Sequence, residues 1–105
     1  VIEVTLIDCG NQMYFESRGH GPHDVCVAVS ALCSTFLQYV REMQDENNVT
    51  IVNETYENGH TESEFFIYDA DEIRHGIKAI WTGFELYAEN YPDEIELNYD
   101  DGNPK

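Results

Sequence analysis

The sequence predicts an α+β domain, with two helices packed on a mainly antiparallel sheet in the order ββαββαβ. It spans residues 1–99 and is followed by a polar tail at 100–105. Three observations lead there. Several short segments alternate apolar and polar residues with the period of two that a half-buried strand requires. Two longer segments repeat apolar residues every three or four positions, the period of one helix face. Between two of the alternating segments stands Asn58-Gly59, the strongest short-range signal for a hairpin turn. Hairpins interleaved with amphipathic helices bury both apolar surfaces when the helices lie on the sheet.

Val1–Ile7 sets Ile2, Val4 and Leu6 against Glu3, Thr5 and Ile7, a half-buried strand. Asp8-Cys9-Gly10-Asn11 turns the chain, and Met13–Arg18 alternates again, with Met13, Phe15 and Ser17 on one side. A helix follows from about Asp24 to Asp45, with Val25, Val29, Leu32, Cys33, Phe36 and Val40 on one apolar face. Glu46-Asn47-Asn48 closes it. Val49–Tyr56 is the next strand, with Val49, Ile51 and Asn53 on one side and Thr50, Val52 and Glu54 on the other; Thr61–Tyr68 returns from the Asn58-Gly59 turn. Asp69-Ala70-Asp71-Glu72 has the pattern of an N-cap with an acidic residue at N3. The second helix carries Ile73, Ile77, Ile80, Trp81, Phe84 and Ala88 on one face and stops near Asn90, before Tyr91-Pro92. Glu94–Tyr99, with Ile95 and Leu97 set against acids, is the last strand.

Charge narrows the partners. Twenty-one acidic residues against five basic ones give a formal charge of −16. Nucleic acid is disfavoured, because its binding relies on Lys and Arg neutralising phosphates. An anionic membrane surface is disfavoured for the same reason, and no apolar run approaches the ~20 residues of a bilayer span. A basic protein or peptide is the partner such a surface attracts; the plainer account is a solvated face that keeps the protein dispersed. Three cysteines in 105 residues is an odd number in a chain large enough to fold without disulfides. The first residues also lack a basic-then-apolar leader, so a reducing cytoplasm is expected.

The stretch Ser17–Leu32, S-R-G-H-G-P-H-D-V-C-V-A-V-S-A-L, holds most of the chemistry. Gly19, His20, Gly21 and Pro22 form a tight connection between strand and helix. Cys26 falls in or beside the first helical turn, where unpaired N–H groups and the positive end of the helix dipole favour thiolate. His20, six residues upstream, is placed to act as its base. The plain alternative for Cys26 is an inert, buried helix cysteine. Ser30, four residues on, shares the side of Cys26 and serves equally well as a small packing residue. Cys9, in a turn, and Cys33, on the core face, look structural.

Gly19-His20 followed by C-x-A-V-S-A-L at Cys26–Leu32 resembles the ribosomal-processing cysteine protease family, Prp, whose signature is G-H-A and then D-I-V-C-A-A-V-S-A-L. The N-terminal hairpin, the Asn58-Gly59 turn, the second helix and Tyr91–Leu97 fall in family-like order. The resemblance implies a cytoplasmic, homodimeric cysteine endopeptidase that trims a short N-terminal extension from a ribosomal large-subunit protein or a phage structural protein. By motif position Cys26 is the nucleophile and His20 the general base, with Gly19, Gly21 and Ser30 contacting substrate or supporting the site. The connection Gly21–Val25 is shorter than in most members, Asp24 stands two residues before Cys26 rather than three, and Gly21 replaces Ala. A second function class therefore stands beside the first: a dimeric binding module for a basic protein, its activity weakened with the shortened loop.

His20, His23 and Cys26 at a spacing of three invite a metal reading. No C-x-x-C accompanies them, and zinc needs three or four converging ligands. No metal and no cofactor is expected, and His60 and His75 are read as solvated.

Overall fold

In a computed structural model, which describes residues 1–68 and 70–101, the elements follow the expected order. They are β1 (Ile2–Asp8), β2 (Gln12–Gly19), α1 (His23–Asp45), β3 (Val49–Glu57), β4 (His60–Ile67), α2 (Ala70–Asn90) and β5 (Ile95–Asp100). The five strands form one sheet in the order β3-β4-β2-β1-β5. All neighbours are antiparallel except β1 and β5. Asp100, expected in the tail, instead closes β5 opposite Ile7. The cap residue expected at Asp69 and the tail residues 102–105 lie outside the described residues.

Alternation decides which face the helices cover. Ile2, Val4 and Leu6 of β1, Met13 and Phe15 of β2 and Phe65 and Ile67 of β4 are buried. They join Val25, Val29, Cys33, Phe36 and Val40 of α1 and Ile73, Ile77 and Phe84 of α2 in one core. Phe36 stacks on Phe15 with ring centroids 4.0 Å apart. Among the described residues no helix covers the opposite face of the sheet, where a row of half-buried polar side chains lies.

The apolar face of α1 is broader than its heptad-like spacing suggests, because Leu37 and Met43 are also buried. Leu32 is only half-buried, and it meets α2 where Gly83 leaves room for its methyl groups. Gly76, one heptad earlier, does the same for Tyr39: a Cβ there would collide with the phenol ring. Two glycines on one side of α2 therefore let the helices approach closely, and Ile80 and Trp81 end only half-buried.

By length and composition alone α1 is apolar enough to cross a membrane, contrary to the expectation that no segment would be. Its arrangement is that of a core helix. The buried residues form one face, while Asp24, Ser30, Ser34, Gln38, Arg41 and Glu42 are exposed on the other. It ends in a Schellman turn, with Asn47 at φ 64 and the N–H groups of Asn47 and Asn48 bonded to the carbonyls of Gln44 and Met43.

Strand β3 departs from its expected alternation. A bulge lies between Ile51 and Asn53, so that Val52 has no partner on β4. The extra residue reverses the faces beyond it. Asn53 moves to the open face, while Glu54 and Tyr56 turn toward α1. There Glu54 pairs with Arg41, and the Ser34 hydroxyl donates to the Tyr56 oxygen at 2.8 Å.

At the far end of the sheet Asp8, nearly buried, receives Arg74 Nε at 2.8 Å, Arg74 Nη2 at 2.7 Å and the Gly10 N–H at 2.9 Å. The Arg74 hydrogen bonds hold its carboxyl below the usual carboxylate value, against the opposing effect of burial. The pair ties α2 to the β1–β2 turn.

Candidate active site

Pro22 occupies the N-cap of α1 and offers no side-chain cap, so the helix starts at His23, one residue earlier than expected. Cys26 is in the first turn, its N–H bonded to the Pro22 carbonyl at 2.9 Å. The three N–H groups before it, on His23, Asp24 and Val25, precede the first intrahelical bond and are the donors a helix start offers an anion. Cys26 is half-buried. Its Sγ lies 3.2 Å from both the N–H and the carbonyl oxygen of Gly21. The first donates to sulfur; the second accepts the thiol proton.

A cavity of about 230 Å³ opens beside this sulfur. Cys26, Val29, Ser30 and Cys33 of α1 line one side, and Gly19 and His20 of the connection another. Residues 56–61, from the end of β3 through the turn into β4, close the third. Cys26 and His20 thus share one cavity, although the thiol is bonded to Gly21 and not to the imidazole. His23 and Asp24 are exposed and line none of it.

The glycines of the site have separate reasons to be there. Gly59 sits at φ +80 with the His20 ring packed on it, so any Cβ would strike the imidazole. Gly19, at φ +112, lies against the Val1 carbonyl and donates its N–H to the Gly59 carbonyl at 3.0 Å. Gly21 binds the sulfur through its backbone, a contact that Ala also permits. Ser30 is exposed at the cavity edge, consistent with the small-residue reading and with a substrate contact alike.

Part of the cavity was not foreseen. Ser17 of β2 and Thr61 of β4 are register partners, and both are buried. Their hydroxyls hydrogen-bond the thiol of Cys33, which burial pushes above the usual thiol range and those bonds pull partly back. A polar floor therefore underlies the cavity where the neighbouring strand positions are apolar. The available signal was a hydroxyl at an inward position of two alternating strands. His60 corrects an expectation as well. It is half-buried rather than solvated, and its Nε2 lies 3.2 Å from Glu16 Oε2 and 3.5 Å from Glu62 Oε2. His75 is exposed, as read.

No protein-family model and no curated protein sequence matches this chain. Solved structures do. The Prp ribosomal processing protease of S. aureus, in complex with a covalently linked product peptide, superposes with a TM-score of 0.70 at 19% identity, over 95% of this chain and 100% of that one. This is a Prp-like fold. The same protease with a substrate peptide gives a TM-score of 0.61 at 19% identity and the same coverage. SMU.848 from Streptococcus mutans gives 0.67 at 15% identity, over 95% of this chain and 94% of that one. The resemblance to Prp that Gly19-His20 and Cys26–Leu32 carry in the sequence is thus matched by the fold of the whole domain.

Proposed function

We propose that this protein is a cysteine endopeptidase that removes a short N-terminal extension from a ribosomal large-subunit protein or a phage structural protein. Cys26 is the nucleophile and His20 the general base. One observation carries the proposal: Cys26 at the uncapped start of α1 and His20 on the neighbouring turn line a single cavity. The shared fold with a protease solved with substrate and product peptides supports it.

In the mechanism, His20 takes the Cys26 proton, which frees sulfur from the Gly21 carbonyl while the Gly21 N–H remains on it. The thiolate attacks the scissile carbonyl carbon and forms a C–S bond. The oxygen of the tetrahedral intermediate gains negative charge, and N–H groups at the helix start are the donors that stabilise it. As the C–N bond breaks, His20 returns its proton to the departing amine. A water molecule, deprotonated by His20, then cleaves the thioester and restores the thiol.

The histidines provide the test. His20→Ala is expected to cut the rate of peptide cleavage at least about a hundred-fold, because it removes the base that generates thiolate. His23→Ala is expected to leave it near normal, since His23 is exposed and does not line the cavity. The reverse result would overturn the assignment of the base. A substrate peptide with compact residues at the scissile bond and basic residues nearby suits the acidic surface.

A second reading rests on the Sγ contacts. The Cys26 thiol is engaged by the Gly21 carbonyl and not by His20, which is the arrangement expected of a binding module that holds a basic protein without cutting it. Both readings place the chain in the cytoplasm as a C2 homodimer. Edge strands β3 and β5 are open to pairing, but the charge of −16 opposes association. Light scattering is expected to give about twice the 12.1 kDa chain mass. A monomer at tens of micromolar protein and ordinary salt would exclude the dimer.

A further inference from the structure

On the face of the sheet away from the helices, the β2–β4 register sets Glu16 directly opposite Glu62, and Arg18 directly opposite His60. Like charges facing one another across a strand pair are destabilising, and both carboxylates are more than four-fifths buried. His60, two residues before Glu62 on the same side of β4, brings Nε2 between them. Its distances to the two carboxylate oxygens are 3.2 and 3.5 Å, and the three ligand atoms all lie within 4.8 Å of one another. Zinc bonds of ~2.0–2.1 Å in a tetrahedron put neighbouring ligands about 3.3 Å apart, so the two nitrogen–oxygen edges already have the right length.

The carboxylates are also oriented from outside. Asn53, turned to this face by the β3 bulge, donates to Glu62 Oε1 at 2.6 Å, and the Tyr14 hydroxyl hydrogen-bonds Glu16. Such outer contacts fix metal-binding carboxylates in their binding pose. Arg18 Nε touches the same Glu16 oxygen as His60, at 2.8 Å. Its side chain is 63% exposed and can leave that oxygen for solvent.

We propose that Glu16, His60 and Glu62 form a binding site for a divalent first-row cation of the zinc class, with a fourth position open to water. One imidazole nitrogen with two carboxylates suits zinc better than magnesium or calcium, which prefer all-oxygen sets. The bound cation removes the repulsion between Glu16 and Glu62 and clamps β2 to β4. Gly59, which precedes His60, carries the His20 ring, so the clamp steadies that wall of the cavity from behind. The site stands whether or not Cys26 is a nucleophile.

The test is calorimetric titration of the full chain with zinc chloride, beside His60→Gln, Glu62→Gln and Cys26→Ala, each checked for native circular dichroism. Wild type and Cys26→Ala are expected to bind one zinc per chain with equal affinity. Each Gln variant is expected to bind at least about tenfold more weakly. Cobalt(II) added to wild type is expected to show weak visible bands without thiolate charge transfer, a readout that does not depend on the variants folding. The proposal is overturned by unchanged affinity in both Gln variants or by loss of binding in Cys26→Ala. A cobalt–thiolate band, or no binding at about 100 µM metal, would overturn it equally.

Discussion

Cys26→Ala is expected to abolish peptide cleavage, a fall of at least about a thousand-fold, with the circular dichroism spectrum unchanged. Removing the sulfur removes the atom that bonds to the substrate, and no neighbouring group replaces it. Cys33 lies deeper, hydrogen-bonded to Ser17 and Thr61 and buried, with its thiol disfavoured from ionising. Cys26→Ser is expected to behave almost as Ala, because an alcohol is a far weaker acid than a thiol and one imidazole does not activate it in a site shaped for sulfur. The fold is expected to tolerate either change, since Cys26 is half-buried and, among the described residues, its side chain hydrogen-bonds to the Gly21 backbone. Full activity in Cys26→Ala would dismiss Cys26 as the nucleophile, whereas no cleavage by the unaltered protein would favour the binding module.

Phe36→Ala is expected to cost about 3–5 kcal/mol of folding stability, measured by urea denaturation. The ring is 1% exposed, stacks on Phe15 and meets Phe65 at a centroid distance of 6.3 Å. It therefore joins α1 to the middle strand β2 and its neighbour β4. Its loss forfeits the burial of a phenyl group and leaves a cavity that the packed strands below cannot fill. Trp81→Ala, of similar apparent weight in the sequence, is expected to cost less. Trp81 is only half-buried and packs at the margin, against Phe84 and Tyr99. A cost below about 1 kcal/mol for Phe36→Ala would place α1 off the sheet.

The site was legible in unequal parts. Cys26, His20 and the turn between them are close in sequence, so a glycine-rich connection running into a helix was enough to bring them near one cavity. The wall opposite was not, because it comes from residues 56–61, some thirty positions further on. Reading Gly59 as a turn former explained its φ but not that the imidazole of His20 rests on it. His60 looked like one more solvated turn residue until the β2–β4 register set it beside Glu16 and Glu62.

The sequence by itself determined the α+β class, the order of the elements and most of the core. Those follow from local periodicity, and periods of two and 3.6 need only a water-facing and a protein-facing side to be meaningful. It also located the nucleophile candidate, through a motif contained within sixteen consecutive residues. Only the tertiary structure decided the strand order β3-β4-β2-β1-β5 and the parallel pairing of β5 with β1. Alternation says which face of a strand is buried but not which strand lies next to it. The bulge at Val52 likewise depends on the partner strand. So do the Ser17–Thr61 pair beneath the cavity, on which α1 sets Cys33, and the Glu16–His60–Glu62 cluster behind it: β2 and β4 are far apart in sequence, and their register brings these residues together.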